Sequence, residues 1–519
     1  MSAAPPAAAS AAAVGDVDAT SLCVRFSFTQ DALVRASQTW LQSLRPGAFP
    51  PKPPEFATYV HELTHYLQYV TTPYGMALHL LRLLQNQAAI DLIQPLLAAG
   101  QAINLPLSGK VPLPAGSGPT PAHQAYAAWW NLDYLIAALH GDTQRQTEMM
   151  ELYVSDSQRV QAGQAPFHPE LLDLRSGFAW AQRRLTDYVR GFNAAGVGAD
   201  PAHPIFPDGI DAVALAAEPQ HGGPVDFRDE RADMALTAFG NPWDASAVIE
   251  SAAVAAELFQ SDVTYERLTA WLGRPAAPGR DVYRACLHRA LQSINSRDIN
   301  AFLLSYLTIC EVALFPPLLP QHAALRGASG VSFDQLLPHR RFSGLLSAAG
   351  AIAPMGNRAD RARYVDALIA ALGWVHPDAI IQSAVGLPKL VRNPVAYLYQ
   401  SAQQWRTWDS TAFIGVDALL ASQDAKAEDW RMHFNFVVID YADRTTYHRD
   451  KDFLQSMTTR YLETLGLQTV MRGSSLRIRA PYGRSAAETA WMTDWLRNRF
   501  AAFFPGIDFS ALQFSQGQR

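Results

Sequence analysis

The chain has 519 residues, of which 49% are hydrophobic and 17% are charged, and its formal net charge is −5. This length predicts roughly two to four packed units with a large buried interior. A pI near 6.3 without a cluster of basic residues argues against a nucleic-acid-binding protein.

The N-terminal segment lacks the pattern of a secretory signal, because it carries no Lys or Arg and contains Pro5 and Pro6. We predict a disordered tail over residues 1–20. The longest apolar stretch, residues 299–319, is interrupted by polar residues and prolines. That interruption indicates a buried helix and not a membrane span.

The cysteines are few, and Cys23, Cys286 and Cys310 form no CxxC motif. They support neither a disulfide framework nor a thiolate zinc site, and a reducing compartment fits best. We therefore expect a cytoplasmic protein that does not act on a membrane.

Helices dominate the elements predicted between the tail and residue 425. An alternating strand at 22–28 comes first, and a helical pattern from 56 to about 97 follows it. A Pro/Gly-rich loop is predicted at 105–123, and an irregular stretch at 196–223 is a candidate lid or cleft wall. Further helices are predicted at 124–140, 145–163, 169–194 and 245–260.

The C-terminal segment, residues 426–519, changes character and shows a βαββα pattern that indicates a small α+β module. Its strands are predicted at 434–439, 467–471 and 476–482, and its helices at 451–465 and 485–504. The fold class predicted for the whole chain is therefore mainly α with α+β parts.

Residues 61–65 read HELTH, which matches the HExxH pattern. In a helix, residues four apart lie on the same face, so the imidazoles of His61 and His65 can bind one metal ion. Zinc suits imidazole ligands, and a catalytic zinc site keeps one coordination position open for water. Glu62 is the candidate general base for that water.

The HELTH helix is amphipathic. His61, His65 and Gln68 fall on nearly the opposite face from an apolar stripe. The stripe consists of Phe56, Val60, Leu63, Leu67 and Val70. We expect the stripe to pack and the histidine face to line a cleft. The competing interpretation is that both histidines are ordinary polar residues of an amphipathic helix.

A third metal ligand has to come from another segment. Within residues 248–260, Glu250 and Glu257 are the only ionisable residues among Ala, Ser and apolar side chains. A buried carboxylate needs a partner or a metal, and small residues allow close approach to the HELTH helix. We predict Glu250 as the ligand, with Glu257 as a second candidate or as a residue that orients a ligand histidine. Pairing of both carboxylates with arginines, or capping of a helix, is the alternative.

HELTH followed far downstream by a helix with Glu250 resembles the gluzincin branch of the zincin metallopeptidases. The resemblance implies one zinc ion per chain, held by His61, His65 and a downstream glutamate, with Glu62 as general base. It also implies a zincin-like helical catalytic domain over 21–425 and a protein or peptide substrate. The spacing departs from the common pattern, because 184 residues separate His65 from Glu250.

Other site residues stay open at this point. Acids nearer to the motif are alternative third ligands, namely Asp133, Glu148 and Glu151. A transition-state hydrogen-bond donor is expected, and the sequence singles out none of its candidates. These candidates are His221, Tyr59, Tyr66 and Tyr69.

Two functions fit these patterns. The first is a zinc-dependent peptidase-like hydrolase, and the second is a non-catalytic helical interaction protein that retains a zincin-like core. Intact Glu62 favours the first, because a structural metal site needs no water-activating base. The sequence has no P-loop, GxGxxG or GxSxG motif that would support a nucleotide-dependent enzyme or a serine hydrolase.

Overall fold

The computed structural model describes the chain in separate segments. They are residues 15–17, 23–43, 53–98, 107, 120–169, 171, 181, 244–259, 263–274, 283–318, 333–383, 399, 438–440, 442, 446–447, 464, 466–468, 470–472, 477–479, 485–505, 507–510 and 512–515. Helices dominate these segments and strands are few and short, which confirms the mainly α fold class with α+β parts.

A four-stranded sheet includes the first described residues of the chain. Its order is β1 (Gly15–Val17), β2 (Cys23–Phe26), β3 (Val438–Asp440) and β4 (Thr446–Tyr447). β2 is antiparallel to β1 and parallel to β3, and β3 is antiparallel to β4. The predicted disordered tail over 1–20 is therefore wrong at Gly15–Val17, where β2 supplies hydrogen-bond partners that no local pattern reveals.

The sheet also joins distant parts of the sequence, since β2 pairs with a strand from the predicted C-terminal module. The division of the chain at residues 425 and 426 stays a prediction. A second sheet pairs β5 (Arg477–Arg479) in parallel with β6 (Gln513–Ser515). β5 confirms the strand predicted at 476–482 over Arg477–Arg479, and the other residues of that stretch lie outside the described ones.

The strand predicted at 467–471 is wrong, because residues 466–468 and 470–472 are helical. Leu467, Val470 and Met471 are fully buried. Their spacing of three and four residues places them on one face of a helix. The predicted helix at 451–465 lies outside the described residues except for Thr464.

The helices run in chain order as follows. They are α1 (Gln30–Ser43), α2 (Pro54–Thr71), α3 (Pro73–Ala98), α4 (Pro121–His140), α5 (Thr143–Gln161), α6 (Ala245–Phe259), α7 (Tyr265–Leu272), α8 (Ala285–Ser293), α9 (Ile299–Ala313), α10 (Phe333–Leu336), α11 (Pro338–Ala349), α12 (Arg361–Leu372), α13 (Pro377–Ser383) and α14 (Ala486–Phe503). None of these helices is both long enough and apolar enough to span a lipid bilayer.

The helical pattern predicted from 56 to about 97 is in fact two helices, α2 and α3. The chain is extended at Thr72, with φ of −117°, and Pro73 begins α3. Proline disfavours helical geometry in the residue before it, which explains the break. Gly75 then packs on Tyr69, where an added Cβ would lie 2.1 Å from the backbone oxygen.

Helix α6 lies against α2 and α9. Asp244 caps it, because its Oδ1 accepts a hydrogen bond of 2.7 Å from the backbone N–H of Ala247. Small buried side chains line the helix, namely Ala247, Ser251, Ala252, Ala253, Ala255 and Ala256. They let its backbone approach α2 closely, as the composition predicts.

Two predicted elements, the helix at 169–194 and the irregular stretch at 196–223, lie outside the described residues. The exceptions are residues 169, 171 and 181.

Candidate metal centre

One turn of α2 brings the two histidines of the motif together. The rings of His61 and His65 have centroids 4.6 Å apart and are nearly perpendicular, at 87°. Their Nε2 atoms lie 3.0 Å from each other. The spacing of four residues on a helix accounts for this proximity.

Glu250 completes the group from α6. Its Oε2 lies 3.1 Å from Nε2 of His61 and 3.1 Å from Nε2 of His65. Among the residues that the structure describes, these three side chains form the group whose ligand atoms are close enough to share a metal ion. The structure thus brings together the residues predicted as ligands, although 184 residues separate the motif from Glu250.

The second nitrogen of each ring has a partner that fixes its tautomer. Nδ1 of His61 lies 2.6 Å from Oε1 of Glu257, and a carboxylate only accepts hydrogen bonds. Nδ1 of His65 lies 3.0 Å from Oε1 of Gln68, whose Nε2 donates to the carbonyl of Ile249 over 3.2 Å. These partners assign the proton of each neutral ring to Nδ1, so both Nε2 atoms present lone pairs.

This arrangement places three hydrogen-bond acceptors at 3.0–3.1 Å from one another. With neutral rings no proton lies between these atoms, and either protonation of His61 or a bound cation supplies positive charge there. Four tetrahedral ligands at about 2.0–2.1 Å from zinc stand about 3.3–3.4 Å apart, so the separations here are close to those of a zinc site. The donor set of two imidazoles and one carboxylate also suits zinc.

The electrostatics of the group favour positive charge at its centre. Burial lowers the pKa of His61, but hydrogen bonds and charge from Glu250 and Glu257 outweigh burial and raise it well above the ordinary value. Burial raises the pKa of Glu250, yet charge and hydrogen bonds from His65 and His61 hold it well below its usual range. A bound cation supplies the same charge without protonating a ligand.

Glu62, the candidate base, lies beside this group and is only 6% exposed. Burial raises its pKa, while the charges of His65 and His61 act in the opposite direction. His65 and Gln68 are also buried, whereas the side chains of His61 and Glu250 stay partly exposed. Helix α6 and strand β1 pack against α2 here, and the prediction that the histidine face lines a cleft stays a prediction.

The nearer acids occupy other places. Asp133 is fully buried in ion pairs with Arg145 and Arg472. Glu148 pairs with Arg145 near the surface, and Glu151 is exposed on α5. None of these three acids belongs to the group with His61 and His65. Glu257 contacts Nδ1 of His61 and so takes the orienting position that was its second predicted role.

The sequence did not identify two neighbours of the site. Gln68 links His65 to the backbone next to Glu250, and only its place on the histidine face pointed to it. Tyr283, whose ring centroid lies 6.1 Å from that of His61, carried no local signal. Among the predicted donor candidates, Tyr66 is fully buried and Tyr59 packs on Phe26 at 5.7 Å. His221 lies outside the described residues.

Comparison with known proteins gives no further guide to the site. No protein-family model matches the sequence, no curated protein matches it, and no solved structure matches the fold.

Proposed function

We propose that the protein is a zinc-dependent hydrolase that cleaves peptide bonds, with His61, His65 and Glu250 as metal ligands and Glu62 as general base. The observation that carries this proposal is the triangle of three acceptor atoms with edges of 3.0–3.1 Å. Two imidazole nitrogens and a carboxylate oxygen in that arrangement can share one metal cation, and Glu62 stands on the same helical turn.

The number of protein ligands supports a catalytic over a structural role for the metal. Structural zinc sites are usually closed by four protein ligands, whereas catalytic sites use three. Among the described residues, the group here contains three ligands. The interaction-protein alternative gives no reason for a carboxylate at position 62 beside such a group.

Each residue has a defined part in the proposed reaction. Zinc, when bound, supplies Lewis acidity toward the scissile carbonyl and makes water more acidic. Glu62 accepts the proton of the attacking water and transfers it to the nitrogen of the leaving amine. Burial raises the pKa of Glu62, which brings it nearer to neutral pH and makes both transfers easier.

Glu257 and Gln68 position the two imidazoles. Glu257 accepts from Nδ1–H of His61, and Gln68 accepts from Nδ1–H of His65 while it donates to the backbone of α6. Such contacts orient the rings and increase the basicity of the ligand nitrogens. Because Cys23, Cys286 and Cys310 are free thiols, a reducing compartment fits, and we place the reaction in the cytoplasm.

The decisive variant is Glu62→Gln, which keeps the shape of the side chain and removes the base. We expect it to retain zinc by elemental analysis and to lose at least about 10² to 10⁴-fold in turnover. New protein N-termini are compared in cells that express the wild type or the variant. Glu55→Gln, a matched change in the first turn of the same helix, should leave the termini unchanged.

Identical termini in the wild type and Glu62→Gln would contradict a peptidase even if zinc were bound. That outcome favours the interaction-protein alternative, in which the metal has no catalytic part.

A further inference from the structure

The first strand of the sheet lies directly on the proposed general base. An added Cβ on Gly15 would lie 2.4 Å from Cγ and 2.8 Å from Oε1 of Glu62. A side chain at position 15 would therefore require the Glu62 side chain or the strand to shift. A general base has to reach a water molecule and a substrate, and β1 shields Glu62 from both.

Within the described part of the chain, β1 is a short segment that contacts β2 and α2. It has three residues, all of them only partly buried, and among the described strands it lies at the edge of the sheet with β2 as its neighbour. By contrast, Val24 and Phe26 in β2 are fully buried. Asp16 pairs with Arg25 over 3.0 Å, and Val17 packs on the core. Short edge strands with little buried area open locally at low free-energy cost.

The edge beneath β1 suits an extended polypeptide. β1 pairs with β2 in the antiparallel sense, with Gly15 opposite Phe26 and Val17 opposite Val24. When β1 leaves, the backbone N–H and C=O groups on that side of β2 lose their partners, and strand addition satisfies such groups. The freed edge lies next to Glu62, because Gly15 contacts Glu62 while it pairs with Phe26.

We infer that β1 is an autoinhibitory strand, a segment of the chain itself that occupies the position of an extended polypeptide beside Glu62 and has to leave before hydrolysis. The inference rests on the proposed function, because inhibition requires an activity to inhibit. In this arrangement Gly15 allows β1 to contact Glu62 closely, and the ion pair between Asp16 and Arg25 holds β1 on β2.

Two substitutions release the strand in different ways. Gly15→Val introduces a side chain into the contact with Glu62, and Asp16→Lys replaces attraction to Arg25 by repulsion. Neither alters a proposed metal ligand or the base. Glu151→Lys makes the same charge change on the exposed surface of α5 and serves as the control. Circular dichroism of each full-length variant checks that it is folded.

The first readout needs no substrate. Hydrogen exchange of the backbone amides in residues 23–26, followed by mass spectrometry, reports whether the edge of β2 is covered. We expect exchange at least about tenfold faster in Gly15→Val and Asp16→Lys than in the wild type or Glu151→Lys. A synthetic peptide with the sequence of residues 13–19 should slow the exchange of Asp16→Lys again. The same peptide with valine in place of its glycine should not.

The second readout is hydrolysis of a denatured protein by the zinc-loaded chain. We expect both release variants to cleave at least about fivefold faster than the wild type, and the residue 13–19 peptide to inhibit them. Faster exchange with an unchanged rate of cleavage would overturn the autoinhibitory role and leave the proposed function standing. Unchanged exchange in both variants would show that β1 is a fixed edge of the sheet.

Absence of cleavage by every variant, with the strand released and zinc bound, has a different meaning. It would overturn the proposed function itself and the inhibitory role with it. The exchange measurements distinguish this outcome from a failure to release β1.

Discussion

Two buried polar clusters in this protein differ in how their hydrogen-bond donors and acceptors are balanced. The first surrounds Asp133, which is fully buried. Its carboxylate accepts from Arg145 at 2.9 Å, from Gln85 at 2.9 Å and from Arg472. Burial raises the pKa of Asp133, but the charges of Arg472 and Arg145 outweigh it, so the pKa is lowered. Each oxygen of this carboxylate therefore has at least one hydrogen-bond donor.

The second cluster, at the candidate metal centre, has more hydrogen-bond acceptors than donors. The Nε2 atoms of His61 and His65 and a carboxylate oxygen of Glu250 face one another at 3.0–3.1 Å, and Glu62 and Glu257 add further negative charge. Burial of charge alone does not mark a functional site, because both clusters are buried. An excess of acceptors around a common point distinguishes the second cluster, because such an arrangement attracts a proton or a metal cation.

The largest expected effect is on metal binding by the second cluster. His61→Ala combined with His65→Ala should abolish bound zinc, because one ligand from Glu250 cannot hold the ion alone. Elemental analysis of the purified protein measures the zinc content, with His288→Ala as a control at an exposed position of α8. A double variant that kept its zinc would move the site elsewhere in the chain.

A substitution in the first cluster, around Asp133, should lower the free energy of unfolding and leave the zinc content unchanged. Asp133→Ala leaves two guanidinium groups near the core without their carboxylate, and breaking a buried pair costs about 3–5 kcal/mol. Denaturant unfolding of wild type and variant measures the change. Glu148→Ala removes the exposed partner of Arg145 and should cost about 0–1 kcal/mol. Loss of zinc in Asp133→Ala while the protein stays folded would contradict the separation of the two clusters.

Within the metal centre, the two glutamates of α6 should differ. Glu250→Ala removes a ligand and should weaken zinc binding by more than about 100-fold. Glu257→Ala removes a group that orients His61 and should weaken it by about 10- to 100-fold. Competition with a zinc chelator gives both affinities. The reverse order would make Glu257 the ligand, and equal, negligible losses would remove α6 from the site.

The smallest expected effect concerns His339, a buried histidine in the first turn of α11. Burial lowers the pKa of His339 from 6.5 to about 3, and charge from Arg340 and His140 acts in the same direction. Below pH 6.5 the unfolded chain therefore binds a proton that the folded chain excludes, so stability falls as the pH drops toward 3. The loss from this residue is about 1.4 kcal/mol per pH unit.

His339→Gln cannot titrate and should lose less unfolding free energy than the wild type between pH 6.5 and 4.5, by about 2–3 kcal/mol. Denaturant unfolding at both pH values measures the difference, with His288→Gln as the exposed control. Parallel losses in wild type and His339→Gln would show that the buried histidine is not the cause. The comparison matters because the pKa of His61 shifts in the opposite direction. Glu250 and Glu257 raise it despite burial.

Much of the metal centre could be predicted from the sequence because its signals are local. A spacing of four residues places His61 and His65 on one helical face wherever that helix packs. Glu250 and Glu257 stand out because they are the only ionisable residues of an apolar helix. The small residues of α6 predicted close packing, and the structure shows it.

Other features had only weak or misleading local signals. Thr72 and Pro73 divide a continuous helical pattern, and proline gave a signal for that break. The segment at 467–471 contains apolar residues that fit a short strand, but burial at positions three and four apart made it helical. In such short apolar runs, the face that the rest of the chain buries decides the secondary structure.

The sequence by itself determined which residues can bind a metal, because ligand chemistry and helical spacing are properties of a few neighbouring residues. Only the tertiary structure decided the roles within that set. Glu250 and Glu257 lie two turns apart on the same helix, and the way α6 packs on α2 places one at both Nε2 atoms and the other at Nδ1 of His61. The strand at Gly15–Val17 was beyond local prediction for the same reason, since its hydrogen bonds and its contact with Glu62 come from distant parts of the chain.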